Sequence, residues 1–160
     1  MTEQEQSFLN LVEQHKKLIY KVCFMYASDD ESINDLYQEV VLNLWKSFPQ
    51  FRGESKPITW IYRIAVNTCV SWIRMSSRKL HTVSLTVSMT ELFADENEKE
   101  NLRELYALIN QLGKLERALI LLWLDERSYE EIAQILDISV SNVGVRINRV
   151  KTKLKTMYNI

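Results

Sequence analysis

The sequence predicts an all-α protein made of two small helical domains joined by an extended linker. Three observations lead there. Only three Gly and two Pro interrupt 160 residues; apolar residues recur at three- and four-residue spacing over long stretches; and residues 76–96, which lose that periodicity, lie between two regions that keep it. A hydrophobic content of 46% suffices for packed cores at this length.

A first helix is expected from near Glu5 to Ala27, with Phe8, Leu11, Val12, Leu18, Ile19 and Val22 on its apolar side. Ser28, Asp29 and Asp30 offer turn and cap chemistry. The second helix, Glu31 to Ser47, repeats Ile33, Leu36, Tyr37, Val40, Val41, Leu44, Trp45 and Phe48 as a core stripe. Pro49 ends it, Pro57 suits the first turn of the next helix, and the loop between has one Gly for an awkward backbone angle. A third helix runs to Met75, with Ile58, Ile61, Ile64, Ala65, Cys69 and Trp72 inward and Tyr62, Arg63, Val66 and Asn67 toward solvent. These three helices make a first domain, residues 1–75. In residues 76–96, HTVSLTVSMTEL alternates polar and apolar side chains, yet a lone strand has no partner, so the segment is assigned as the linker. The second domain, 97–160, holds four helices near Asn97 to Gln111, Lys114 to Leu124, Ser128 to Leu136 and Val140 to Met157.

Several function classes are excluded. The N-terminus lacks the basic start and apolar run of a signal peptide, no stretch has the length and apolarity of a membrane span, and a cytoplasmic protein is expected. Cys23 and Cys69 stand apart without a CxxC, and neither His15 nor His81 is at ligand spacing, so buried thiols are expected and no metal or other cofactor. No Gly-rich phosphate loop, HExxH or nucleophile elbow is present, which argues against an enzyme and a small-molecule substrate. Net charge is only −1, but unevenly spread: residues 91–104 carry six acids against two bases, and residues 139–160 carry five bases and no acid. Such a basic end is suited to phosphate neutralisation.

That end has the marks of a helix-turn-helix. Ser128 and Glu131 form a capping-box pattern, Ala133 is small enough for a close helix crossing, and Asp137-Ile138-Ser139 supplies the turn. Ser139 caps a last helix whose Val143, Ile147, Val150, Leu154 and Met157 repeat at four, three, four and three residues. Ser141, Asn142, Val145, Asn148, Arg149 and Thr152 then project outward for base edges, with Arg146 and Lys151 placed for phosphates.

The stretches DLYQEVVLNLW, FRGESKPITWIYRIAVN and LGKLERALILLWLDERSYEEIAQILDISVSNVGVRINRVKTKL, in that order, closely resemble the extracytoplasmic-function (ECF) sigma factors of bacteria, members of the sigma-seventy family. The resemblance spans nearly the whole chain. It implies a first domain of region 2 type that docks on the clamp helices of RNA polymerase and opens the −10 element, and a second of region 4 type that reads the −35 element. The polymerase is implied as a partner through its clamp helices and flap, together with promoter DNA and an anti-sigma factor, usually membrane-linked. Asp35, Gln38, Glu39 and Leu42 lie opposite the core stripe of the second helix; the Asp, Gln and Glu match positions of the family's clamp-docking surface, and the exposed Leu42 beside them suits a protein interface. The family draws a base of the non-template strand into the loop after that helix, here Phe51 to Lys56; Phe51, Arg52, Lys56, Trp60, Tyr62, Arg63 and Asn67 suit a stacking pocket and a cationic groove. Trp60 and Trp72 are also candidates for core aromatics, Trp72 the stronger. On the last helix, Ser141, Asn142, Val145, Arg146, Asn148, Arg149 and Lys151 are the implied −35 contacts. The chain departs from the family at Gly144, where an Arg or Lys is common, at a cost of roughly 1 kcal/mol relative to Ala in a helix, and at Leu112-Gly113, where Leu-Pro is usual.

The competing reading is a helix-turn-helix regulator that binds duplex operators as a dimer without polymerase, residues 1–75 serving as a sensor or dimerisation bundle. A helical adaptor for proteins alone fits the charge but leaves the basic last helix without a purpose.

Overall fold

The computed structural model describes residues 1–27, 30–51, 53, 56–76, 104–105 and 107–158. The chain divides into two compact units, Met1–Leu92 and Phe93–Ile160. The expected cap residues Ser28 and Asp29 and the linker beyond Ser76 lie outside the described residues.

The first unit contains α1 (Glu3–Gln14), α2 (Lys16–Tyr26), α3 (Asp30–Ser47), a 3-10 turn (Phe48–Gln50) and α4 (Pro57–Ser76). Its opening helix corrects the expected single helix to Ala27. Thr2 and Glu5 make a reciprocal capping box: the Glu5 N–H donates to the Thr2 hydroxyl at 3.1 Å and the Thr2 N–H to the Glu5 carboxylate at 3.3 Å. Twelve residues on, His15 leaves helical geometry at φ −116°, ψ 15°, and α2 starts afresh. The polar run Glu13 to Lys17 interrupts the apolar pattern here, so no buried stripe holds one straight helix together.

Helix α4 packs on both α2 and α3. Ile19, Val22 and Cys23 of α2, Ile33, Leu36 and Val40 of α3, and Ile61, Ala65 and Cys69 of α4 are at most 1% exposed. Burial pushes the Cys69 thiol up from its ordinary range, and a hydrogen bond with Cys23 adds to the shift. An Asn43 side-chain N–H donates to the Thr68 hydroxyl at 3.0 Å, and that hydroxyl donates to the Ile64 carbonyl at 2.7 Å, which satisfies a polar pair between α3 and α4. Gly53 takes φ +72°, the left-handed angle expected of the loop glycine.

Packing on two sides also corrects two placements on α4. Tyr62 is 1% exposed and Val66 4%, so both belong to the core and not to the solvent side. A helix covered by two neighbours buries a wider arc than one apolar stripe.

In the second unit, residues 104–105 and 107–109 are helical, consistent with the end of the first expected helix, whose residues 97–103 lie outside the described set. Then come α5 (Lys114–Leu124), α6 (Tyr129–Leu136) and α7 (Val140–Tyr158). Arg117 donates to the Leu112 carbonyl at 3.0 Å and the Asn110 carbonyl at 2.7 Å, closing the turn before α5. Where the family has Pro, the Gly113 N–H donates to the Glu116 carboxylate at 3.1 Å, a bond that Pro could not make. The core joins Ile109 and Leu119 to Ile132 and Ile147, all fully buried.

Phe8 ties α1 to the rest of its unit. Its ring, 5% exposed, lies 5.0 Å from that of Trp45 and 5.3 Å from that of Phe48. Phe8→Ala is expected to cost about 3 kcal/mol or more, read as a lowered urea midpoint by tryptophan fluorescence. Leu9→Ala, at a neighbouring exposed position, should change stability by less than about 0.5 kcal/mol.

Candidate functional site

Three surfaces carry the residues singled out in the sequence. On α3, Asp35 and Gln38 are exposed, Glu39 is half-buried and Leu42 is 44% exposed. Their spacing puts them on one flank, opposite the fully buried Leu36 and Val40. Trp45 extends that flank by one turn at 37% exposure, although the sequence pattern placed it in the core stripe. Its ring is amphipathic in position, against Phe8 on one side and open to solvent on the other.

The second surface runs along α4. Lys56, Arg63, Asn67 and Ser71 are exposed and Trp60 is half-buried. Steps of four, three, four and four residues set them in one strip. At its head the rings of Phe51 and Trp60 stack at 4.7 Å with an interplanar angle of 26°, backed by Phe48 at 6.2 Å from Trp60. The 3-10 turn after α3 makes this possible, because the Phe51 N–H bonds back to the Phe48 carbonyl at 3.0 Å and folds the loop toward α4. Five of the seven residues proposed for the −10 element are therefore brought together. Tyr62 is not, being in the core, and Arg52 lies outside the described residues. Trp72, expected inward, is instead half-buried at the wall of a shallow cleft of about 220 Å³ shared with Glu39, Asn43, Asn67, Thr68 and Ser71. Two apolar neighbours cover α4 more fully in its middle than here near its end.

The third surface is the outer face of α7. The Glu131 N–H donates to the Ser128 hydroxyl at 3.1 Å and so starts α6, but the carboxylate half of the expected box is absent: Glu131 turns to Arg127 at 3.4 Å and to the Ser128 hydroxyl. A guanidinium within reach offers a charge-assisted bond that outbids a backbone amide. Helix α6 stops at Asp137, which adopts the left-handed conformation at φ 57°, and the Ile138 N–H reaches the Ala133 carbonyl at 3.2 Å. Two residues on, the Ser139 hydroxyl accepts from the Asn142 N–H at 3.1 Å and opens α7. Val143, Ile147 and Val150 are buried, while Leu154 and Met157 are half-buried as the stripe runs out from under α5 and α6.

Outward from that stripe lie Ser141, Val145, Asn148, Arg149, Lys151 and Thr152, all exposed, with Asn142 and Arg146 half-buried. Some of the cations have partners. Arg146 donates to the Asn142 side-chain oxygen at 3.0 Å, Lys151 stands 4.5 Å from the Trp123 ring centroid, and Lys153 pairs with Glu116 at 3.3 Å. These contacts aim the side chains without neutralising most of them. One neighbour was not legible in the sequence: Tyr129, fifteen residues before Gly144, has its ring where it covers that glycine's bare flank. A Cβ added at Gly144 would sit 3.5 Å from the Tyr129 ring. Only the crossing of α6 over α7 brings the two together, and no local pattern announces it.

Residues 11–79 match the family model for Sigma-70 region 2, and residues 102–154 match that for Sigma-70, region 4. The sequence is 30% identical to RNA polymerase sigma factor YlaC of Bacillus subtilis (strain 168), over 93% of this chain and 90% of that one. It is 31% identical to ECF RNA polymerase sigma factor SigX of the same strain, over 91% of this chain and 80% of that one. The chain belongs to the ECF sigma factors. An ECF sigma factor directs RNA polymerase to promoters for transcription initiation and is not itself an enzyme, so the operator-binding regulator gives way. The same fold is seen in CnrH, solved in complex with the cytosolic domain of CnrY, at a TM-score of 0.72 and 20% identity over 97% of this sigma factor and 89% of CnrH. It is seen again in RpoE of Bartonella quintana, solved with the anti-sigma factor NepR, at 0.74 and 18% over 98% and 96%. No helix among the described residues is long and apolar enough to cross a membrane.

Gly144 is helical, and the 3.5 Å contact that a methyl group would make with Tyr129 is ordinary van der Waals distance. Gly144→Ala should therefore stabilise this sigma factor's second unit by roughly 0.5–1 kcal/mol, through the lost chain entropy of glycine. A raised thermal midpoint is the expected result; a lowered one would show that Tyr129 cannot give way.

Proposed function

We propose that the three surfaces divide the work of initiation. The α3 flank of Asp35, Gln38, Glu39 and Leu42 docks on the polymerase clamp helices. The α4 strip receives the non-template strand of the −10 element: Phe51 and Trp60 supply a stacking platform, Lys56 and Arg63 neutralise phosphates, and Asn67 offers hydrogen bonds. The outer face of α7 reads the −35 element through Ser141, Asn142, Val145, Asn148 and Arg149, with Arg146 and Lys151 on phosphates. Residues 1–75 are the polymerase-docking and melting domain, 76–96 the linker and 97–160 the −35 reader. One observation carries this reading: the Phe51–Trp60 stack heads a strip with two cations and an amide, a surface suited to single strands and of no use to a protein that binds only duplex operators.

CnrH and the Bartonella RpoE were each solved with a protein partner, which supports control of this chain by an anti-sigma factor that covers the polymerase-facing surfaces. A cytoplasmic location follows from the proposed partners, RNA polymerase and promoter DNA.

Reconstituted transcription with core polymerase tests the division. Gln38→Ala with Glu39→Ala should weaken core association roughly tenfold, as loss of about 1–2 kcal/mol at an interface would. Arg149→Ala should leave core association unchanged and lower −35-dependent initiation by a similar factor, as loss of one base or phosphate contact would. Equal loss of core binding in both variants would overturn the assignment.

A further inference from the structure

We infer that Val145 makes this sigma factor select a thymine in the −35 element by its C5-methyl group, an inference that rests on the proposed role of α7. Val145 is 49% exposed, on the side of α7 away from the buried Val143, Ile147 and Val150. On that same outer side stand Ser141, Asn148 and Arg149, four residues before and three and four residues after it, with Asn142 three residues before. All four neighbours hydrogen-bond; Val145 alone in the group is apolar. The preceding residue, Gly144, contributes no side chain, and its flank is occupied by the Tyr129 ring. The centre of the face therefore offers no donor to a guanine O6 or N7 and no acceptor to a cytosine amine. It offers one branched aliphatic group, half of whose surface is open to solvent.

Among the four bases, thymine alone presents an apolar group in the major groove. A valine that stays in water on the free protein gains by covering that methyl, and burial of one such group is worth about fourfold in affinity. Cytosine at the same position would instead leave its amine facing Val145 without an acceptor, a penalty on top of the missing methyl. Phosphate contacts by Arg146 and Lys151 fix the register but carry no sequence information, so discrimination at this step falls to Val145.

The test uses the full chain with core RNA polymerase. A promoter library with a randomised −35 hexamer identifies the preferred element, and each thymine in it is then replaced by deoxyuridine, which keeps the base pair and removes only the methyl. One replacement should reduce initiation about fourfold for the native protein. For Val145→Ala the penalty at that position should fall below about half of that factor, with other positions unaffected. Ala is a better helix former than Val at an exposed site, so the variant keeps its fold. Methyl-insensitive initiation at every thymine, or unchanged sensitivity in Val145→Ala, would overturn the inference while leaving α7 as the −35 reader. A library without any −35 preference would overturn both.

Discussion

Two flanks of α4 are buried at once, against α2 and against α3, which leaves the helix one strip of surface to offer to anything else. Ile61, Tyr62, Ala65, Val66 and Cys69 fill the buried arc. Lys56, Trp60, Arg63, Asn67 and Ser71 fall on what remains. The register is held by cost: turning the helix by one position would bring Arg63 toward the interior, and taking a guanidinium out of water is far more expensive than exposing an alanine. Packing of the first unit therefore sets which side chains of α4 face outward. The aromatic cluster of Phe8, Trp45, Phe48, Trp60 and Phe51 then joins this strip to α1, the end of α3 and the loop.

A narrower version of the same constraint shapes the second unit. Three fully buried side chains hold α7 against its neighbours, and the left-handed Asp137 and the Ser139 cap set where the helix begins. Ser141, Val145, Asn148, Arg149, Lys151 and Thr152 are left exposed on α7. Arg146, Lys151 and Lys153 make pairings within the unit that, at the surface, contribute little to stability. The whole-chain charge of −1 thus conceals a local acid-free face, because the compensating acids lie in residues 91–104.

Much of this was legible in the sequence because it depends on local chemistry. The bounds of α5, the start of α7 at the Ser139 cap and the positive φ of Gly53 all follow from side chains within a few residues. The misreadings share a different origin. A one-sided apolar stripe puts Tyr62 and Val66 outward, whereas the second covering helix that buries them is distant in sequence. The Glu131 carboxylate was assigned to the cap amide, but Arg127, which reaches it in space, competes successfully. The break at His15 had a signal in the polar run Glu13 to Lys17, and so did the earlier start of α1 in the Thr2–Glu5 box; both were overlooked for the longer apolar pattern. Nothing local foretells that Tyr129 covers Gly144.

A glycine near the start of α7, where the family commonly has a basic side chain, lowers the charge that this helix offers to DNA, and on the proposed division the sigma factor has no need of tight, independent binding. On the proposed division, the polymerase already brings the chain to DNA, so each DNA-contacting surface acts at a high effective concentration and can be weak by itself. Weak surfaces discriminate better when they rely on fit than on charge, since phosphate attraction is indifferent to sequence. On the inferred role of Val145, a glycine in place of a basic side chain, with Val145 exposed beside it, trades affinity that the polymerase makes redundant for a contact only some sequences satisfy. The same logic applies to the proposed role of α4, where stacking on Phe51 and Trp60 would accept a base only after the duplex has opened. In these proposed roles both surfaces would contribute little until polymerase and promoter are together, and that dependence is what separates an initiation factor from a free-standing operator-binding protein.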